Sequence, residues 1–148
     1  FIDVATGSLG DRVWYDSDAD GVQSANLAAE PGIPGVTVNL AGDLNGDGLV
    51  DYTASTVTAG GVPANRGLYS FDNLPAGTYT VTVDDSTLPE GLRTQTYDLN
   101  GTGTGNTTPV PIASGQQRTD VDFGYTGTGT LGDLVWNDDN GDAIQNNG

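Results

Sequence analysis

Cysteine, histidine, methionine and lysine are all absent from this 148-residue chain. Neither a disulfide framework nor a thiolate or imidazole metal site can form without them. The four cations are Arg12, Arg66, Arg93 and Arg118. With no basic patch and a formal net charge of −16, binding to a phosphate backbone is excluded. No apolar run is long enough to cross a membrane, so membrane insertion is not expected, and no signal peptide can be read. Glutamate is scarce too: Glu30 and Glu90 stand against 18 aspartates. Solubility alone does not explain that bias, because both side chains carry the same charge. Aspartate's short arm suits tight turns and compact oxygen cages around hard cations. Self-repulsion at −16 also opposes compaction unless counter-ions bind. The composition asks for a cation.

What is present, first, is a repeat. Ser8–Gln23 (SLGDRVWYDSDADGVQ) is answered by Thr130–Gln145 (TLGDLVWNDDNGDAIQ) at a constant offset of 122 residues. A repeat in register over that distance is a domain-sized unit. The division is residues 1–7 as the end of a preceding repeat or linker, 8–125 as one module, 126–129 as linker, and 130–148 as the start of the next repeat. About 120 residues suffice to bury a core without staples. Leu131, Val135, Trp136 and Ile144 lack partner strands within the chain, so they should continue into a full domain or be completed by another chain. The short Gly/Thr joint Thr126–Thr130 should bring consecutive modules close enough to touch.

Every clear segment alternates at period two. Val36, Val38 and Leu40 do so, as do Tyr79, Val81 and Val83, and Val121, Phe123 and Tyr125. Each reads as a strand with one buried face. Further strands are expected near Leu9–Tyr15, Val50–Val57, Gly67–Phe71, Arg93–Tyr97 and Val110–Ala113. The 23 glycines argue against long helices. Short strands between Gly, Pro and Asp turns predict an all-β protein, an antiparallel β-sandwich. The low-complexity tract Asn100–Thr108 should be a surface loop.

Chemistry concentrates in the aspartates. Asp16, Asp18 and Asp20, followed by Gly21 and the Val22 carbonyl, place oxygens at positions 1, 3, 5 and 7 of a calcium loop, with glycine at 6 for the sharp turn. Leu27 stands where the closing glutamate belongs. Glu30, three residues later, closes the cage if Ser24–Ala29 loops out. Pro31, Gly32 and Pro34 forbid an exiting helix, so this is an EF-like loop between strands. Asp43, Asn45, Asp47, the Leu49 carbonyl and Asp51 repeat the pattern. Asp98 with Asn100 forms a weaker cluster, and the second copy carries Asp138, Asn140, Asp142 and the Ile144 carbonyl, with Ala143 in place of the glycine. The competing reading of all four is ordinary Asx-turns. If they bind metal, calcium fits best, with two ions and a third at Asp98; zinc lacks its ligands, and magnesium fits seven-ligand spacing poorly.

The remaining candidates are weaker. Tyr69, Phe71, Tyr79, Phe123 and Tyr125 alternate and read as core, leaving Tyr15, Tyr52 and Tyr97 as the aromatics that could serve a glycan or protein ligand. Asp84 and Asp85 could act as acid and base, but no nucleophile accompanies them, and no enzyme is expected.

The motifs together carry a family resemblance. LGDRVWYDSDADGVQ, then Glu30-Pro-Gly-Ile-Pro-Gly-Val-Thr-Val-Asn-Leu, then Gly67-Leu-Tyr-Ser-Phe-Asp-Asn-Leu-Pro-Ala-Gly-Thr-Tyr-Thr-Val-Thr-Val resemble the SdrD B-like domains, the B-repeats of bacterial serine-aspartate repeat surface proteins. Asp120-Val-Asp-Phe-Gly-Tyr corresponds to the closing strand. The resemblance implies a prealbumin-like Greek-key sandwich that binds several calcium ions and becomes rigid with them. It implies a calcium loop at Asp16, Asp18, Asp20, Val22 and Glu30. It also implies a tandem stalk, spacer or filament module of a large extracellular or cell-surface protein, whose partners are neighbouring copies of itself. An adhesin module that binds glycan or host protein is the alternative. Related collagen-adhesin modules often carry a Lys–Asn isopeptide bond, which the absence of lysine rules out here.

Overall fold

The structure, a computed structural model, describes residues 5–127. The second copy's Asp138, Asn140, Asp142 and Ile144 therefore lie outside the described residues. Nine strands follow in order: β1 (Gly7–Tyr15), β2 (Thr37–Asp43), β3 (Tyr52–Val57), β4 (Leu68–Leu74), β5 (Gly77–Val83), β6 (Thr94–Tyr97), β7 (Thr107–Ile112), β8 (Gln117–Arg118) and β9 (Phe123–Thr126). They make two sheets, one ordered β3-β2-β5-β7 and the other β4-β1-β9-β6, with β8 also on β1. Among the described residues only two single-turn 3₁₀ helices accompany them, Asp85–Thr87 and Thr102–Thr104. Among the described residues no helix is long and apolar enough to cross a membrane.

The period-two pattern decides which faces meet. Val38 and Leu40 on β2, with Tyr79, Val81 and Val83 on β5, face Leu9, Val13, Phe71, Phe123 and Tyr125 of the other sheet. Burying each such side chain contributes about 1.5–3 kcal/mol. All five aromatics read as core are buried, and the Tyr69 hydroxyl finds a partner inside by donating to the Val121 carbonyl at 2.6 Å. Trp14 lies against the backbone of Gly124, where an added Cβ would stand 2.6 Å from Cζ2 of the indole. Gly124 is glycine because the ring needs that space.

The four-stranded sheet is antiparallel throughout. In the other sheet, β1 runs parallel to both β8 and β9, with Val13 opposite Phe123 and Tyr15 opposite Tyr125. First and last strands therefore point the same way, and the chain crosses the module from one pole to the other. At the leading pole, where β1 begins, Leu74 pairs with Gly7, Gly77 with Ile112, and Asp43 with Thr78. The loop between β2 and β3 thus belongs to that pole. The trailing pole holds Tyr15, Thr126 and the loop that follows β1. The period-two reading missed the two-residue β8. It also placed Thr107 and Thr108 in the low-complexity loop, whereas both belong to β7.

Candidate metal centre

The loop after β1 is fixed at both ends by backbone. At its start the Asp16 amide donates to the Tyr125 carbonyl at 2.8 Å. At its end the Tyr15 amide donates to the Pro31 carbonyl (2.9 Å) and the Ile33 amide to the Val13 carbonyl (2.8 Å). A bridge between Trp14 and Gly32 completes the strap. The residue before that strap is Glu30, so closing the backbone returns its carboxylate to the root of the loop. The intervening segment turns out through amides of Ala29 and Glu30 donating to the Asn26 carbonyl.

One oxygen from each of Asp16, Asp18, Asp20 and Glu30 then lies within 4.8 Å of the others. Two oxygens held by one calcium at about 2.3–2.6 Å stand no more than about 5 Å apart, so this spacing fits a single ion. Asp16 is 0% exposed and Glu30 2% exposed, while Asp18 and Asp20 face solvent. The loop's internal wiring holds it open: the Gly21 amide donates to Asp16 Oδ2 (2.8 Å) and the Val22 amide to Asp20 Oδ1 (2.7 Å). Burial raises the Asp16 pKa, but the Thr96 hydroxyl and the loop amides outweigh it and leave the carboxyl below its ordinary value. Glu30 Oε2 accepts from the Ser24 amide at 2.6 Å, whereas Oε1 is buried with no hydrogen-bond partner. A buried, unpaired carboxylate oxygen costs free energy unless a cation completes it.

The loop from Asp43 to Asp51 repeats this wiring. Asp43 Oδ2 accepts from the Gly48 amide (2.9 Å), Asn45 Oδ1 from Asp47 (3.0 Å) and Asp47 Oδ1 from Leu49 (2.8 Å). Hydrogen bonds from the Gly48 and Gly46 amides lower the Asp43 pKa. Asp51 Oδ2 accepts from the Leu44 amide at 2.9 Å. Asp43, Asp47 and Asp51 do not converge into a second carboxylate group of the same kind among the described residues. At Asp98 both oxygens are engaged. Oδ2 accepts from Gln95 Nε2 (2.8 Å) and Oδ1 from the Asn100 amide (3.1 Å). The Asn100 side-chain amide lies 3.0 Å from Oδ1 and 2.9 Å from Thr108 Oγ1, distances that suit its nitrogen as donor. Burial is the main cause of the raised Asp98 pKa.

Other candidates take structural places. Asp84 caps the first 3₁₀ turn, accepting from the amide and hydroxyl of Ser86 (3.0 and 2.6 Å). The three tyrosines left for a ligand are half-buried. Tyr97 lies 5.4 Å from Trp14 and Tyr52 meets Tyr79 edge-on at 6.2 Å. Sequence reasoning passed over one carboxyl pair, Asp11 and Asp122. Burial pushes Asp122 up to about 7, the Asp11 charge adds to it, and the Arg12 amide 3.0 Å away opposes it. Their proximity follows from β1 lying beside β9, which period-two patterning does not specify.

Fold and site together define a β-sandwich module with an acidic, partly buried loop at one pole. The sequence matches the SdrD B-like domain over residues 7–125. It is 37% identical over 144 residues to serine-aspartate repeat-containing protein F of Staphylococcus epidermidis, covering 93% of this chain and 7% of that protein. It is 35% identical over 140 residues to the bone sialoprotein-binding protein of Staphylococcus aureus, covering 93% and 11%. The chain thus spans about a tenth or less of these relatives' length. The full-length major pilin SpaD of Corynebacterium diphtheriae shares the fold, with a TM-score of 0.53 at 19% identity, over 86% of this chain and 34% of that one. The minor pilin GBS52 of Streptococcus agalactiae does so at 0.50 and 16%, over 91% and 50%. This chain belongs to the SdrD B-like domain family.

Proposed function

We propose that this is a calcium-stabilised structural module, a stalk, spacer or filament link of a large extracellular bacterial surface or matrix protein. The observation that carries it is the group of Asp16, Asp18, Asp20 and Glu30, with Glu30 Oε1 buried and unpaired. An all-oxygen donor set suits a hard cation, and a seven-ligand loop suits calcium over magnesium. Bound calcium would neutralise part of the −16 charge and tie the loop's closing strap to its root, stabilising the folded state by mass action. The Asp43–Asp51 loop, wired alike but without a buried closing carboxylate, is a second and weaker site in this reading. Surface location is supported by the serine-aspartate repeat relatives. No catalytic step belongs to this role.

Calorimetric titration of the chain with calcium chloride tests the site. Glu30→Gln and Asp16→Asn should each weaken the tightest binding event at least tenfold, while Asp98→Asn leaves it unchanged. Equal affinity in Glu30→Gln and the parent chain would remove Glu30 from the site.

One observation favours the adhesin alternative: a cleft of about 440 Å³ between β1, β3 and β4, lined by Leu9, Asp11, Val57, Tyr69 and Arg118 among others. Its size falls in the range of small-ligand sites. Saturable binding on a glycan array, lost on Arg118→Ala, would support it.

A further inference from the structure

Resting on the tandem-module reading, we propose that consecutive copies dock pole to pole. Leu49 and Val50 of the following copy seat in an apolar cavity at the trailing pole of the preceding one. Four observations meet here.

The first is topology. β1 starts at the leading pole and β9 ends at the trailing pole, parallel to it. By the 122-residue offset, Gly129 is the counterpart of Gly7, where β1 begins, and it stands three residues beyond Thr126. Three residues span at most about 10 Å. A joint of that length leaves the two facing poles no room to stay apart.

The second is where apolar surface is exposed. Among the described residues five large hydrophobic side chains are strongly exposed. Leu49 (68%) and Val50 (61%) are in the leading-pole loop. Val22 and Val62 are in trailing-pole loops, and Val57 closes β3 at its trailing end. A lone exposed valine needs no explanation, but adjacent apolar residues in an otherwise acidic loop do.

The third is a receptor of fitting size. At the trailing pole a cavity of about 160 Å³ is lined by Tyr15, Pro31, Pro34, Arg66, Pro89 and Leu92. Ligand pockets run from about 300 Å³ upward, so this volume suits an aliphatic side chain rather than a small molecule. The linker side of this pole is close by, since Gly127 packs on Gly91 and Leu92.

The fourth is charge. Arg66 is one of only four cations, and Asp47 and Asp51 flank Leu49 and Val50. Docking brings that guanidinium to the acidic loop, and it also brings the exposed Asp18 and Asp20 of the trailing pole towards it, a repulsion that bound calcium would relieve. The contact need not be strong, because a short linker holds the partners at an effective concentration in the millimolar range.

The test extends the chain after Gly148 from Leu27, the position the repeat has reached, giving two copies in register. The chain's lack of cysteine makes disulfide trapping clean. Leu49→Cys in the second copy is combined with Pro89→Cys in the first, and separately with Thr80→Cys in the first, an exposed position on the outer sheet face. In calcium chloride under mild oxidation, the Pro89 pair should cross-link at least tenfold faster than the Thr80 pair. Adding Val50→Asp should remove that advantage, with the melting curve checking that the variant folds. Equal rates for the two pairs would overturn the docking. The melting temperature of the same two-copy protein in calcium and in EDTA reports on calcium stabilisation separately, so equal rates with a retained calcium shift would refute the joint alone.

Discussion

Asp122 shows how one carboxyl can couple fold to pH. Its pKa is raised, chiefly by burial and then by Asp11, to about 7 against an ordinary 3.8. The folded state thus holds this proton more tightly than the unfolded chain. The contribution is fully present below about pH 4 and is lost as pH rises through 7. In EDTA, the parent chain's stability should therefore decline across that window by this term. Asp122→Asn, whose amide oxygen can still accept from Arg12, should raise the melting temperature at pH 8 by about 2–5 °C and leave it nearly unchanged at pH 4. A melting temperature at pH 8 unchanged by the substitution would contradict this account. Tyr69→Phe should cost about 1–1.5 kcal/mol in denaturant unfolding, because it leaves the buried Val121 carbonyl without its donor. At this scale the sequence was most legible where side chains are local. Asp16, Asp18 and Asp20 could be read from spacing alone. Glu30 could be read only as a conditional ligand, because its approach depends on the strap of Pro31 and Ile33 onto β1. The Asp11–Asp122 pair could not be read at all, since it needs the parallel neighbourhood of strands more than a hundred residues apart.

Strand identity followed from period-two alternation wherever one face is buried and one is wet, as in β2 and β5. Alternation says nothing about neighbours, so the parallel seam of β1 with β8 and β9 emerged only from the structure. Edge strand β7 explains a further feature. Pro109 and Pro111 sit opposite Thr80 and Thr78, while Val110 and Ile112 between and beyond them point into the core. Proline has no amide to donate, so it fits positions facing away from β5, and there it blunts the open edge. Pro109→Thr combined with Pro111→Thr should leave the fold intact and promote self-association, read as a concentration-dependent rise in mass by light scattering. A chain that stays monomeric at high concentration would show that these prolines do not guard the edge.

At the scale of the whole molecule, acidity and architecture have a common consequence. A sandwich entered at one pole and left at the other is suited to serial connection, and the match of residues 8–23 with 130–145 is the basis for the proposed series. The acidic loops fall at opposite poles, Asp16–Glu30 trailing and Asp43–Asp51 leading, so metal bound in them would lie beside each joint. In the proposed role, cations bound there would neutralise part of the −16 charge. Thermal unfolding of the chain in saturating calcium chloride and in EDTA, with Glu30→Gln alongside, tests this most directly. Calcium at about a hundred times its dissociation constant stabilises by about 2.7 kcal/mol, or about 10 °C for a domain of this size. A shift of that order is expected in the parent chain, and a much smaller one in Glu30→Gln. Coincident melting curves in calcium and EDTA for the parent chain would contradict it.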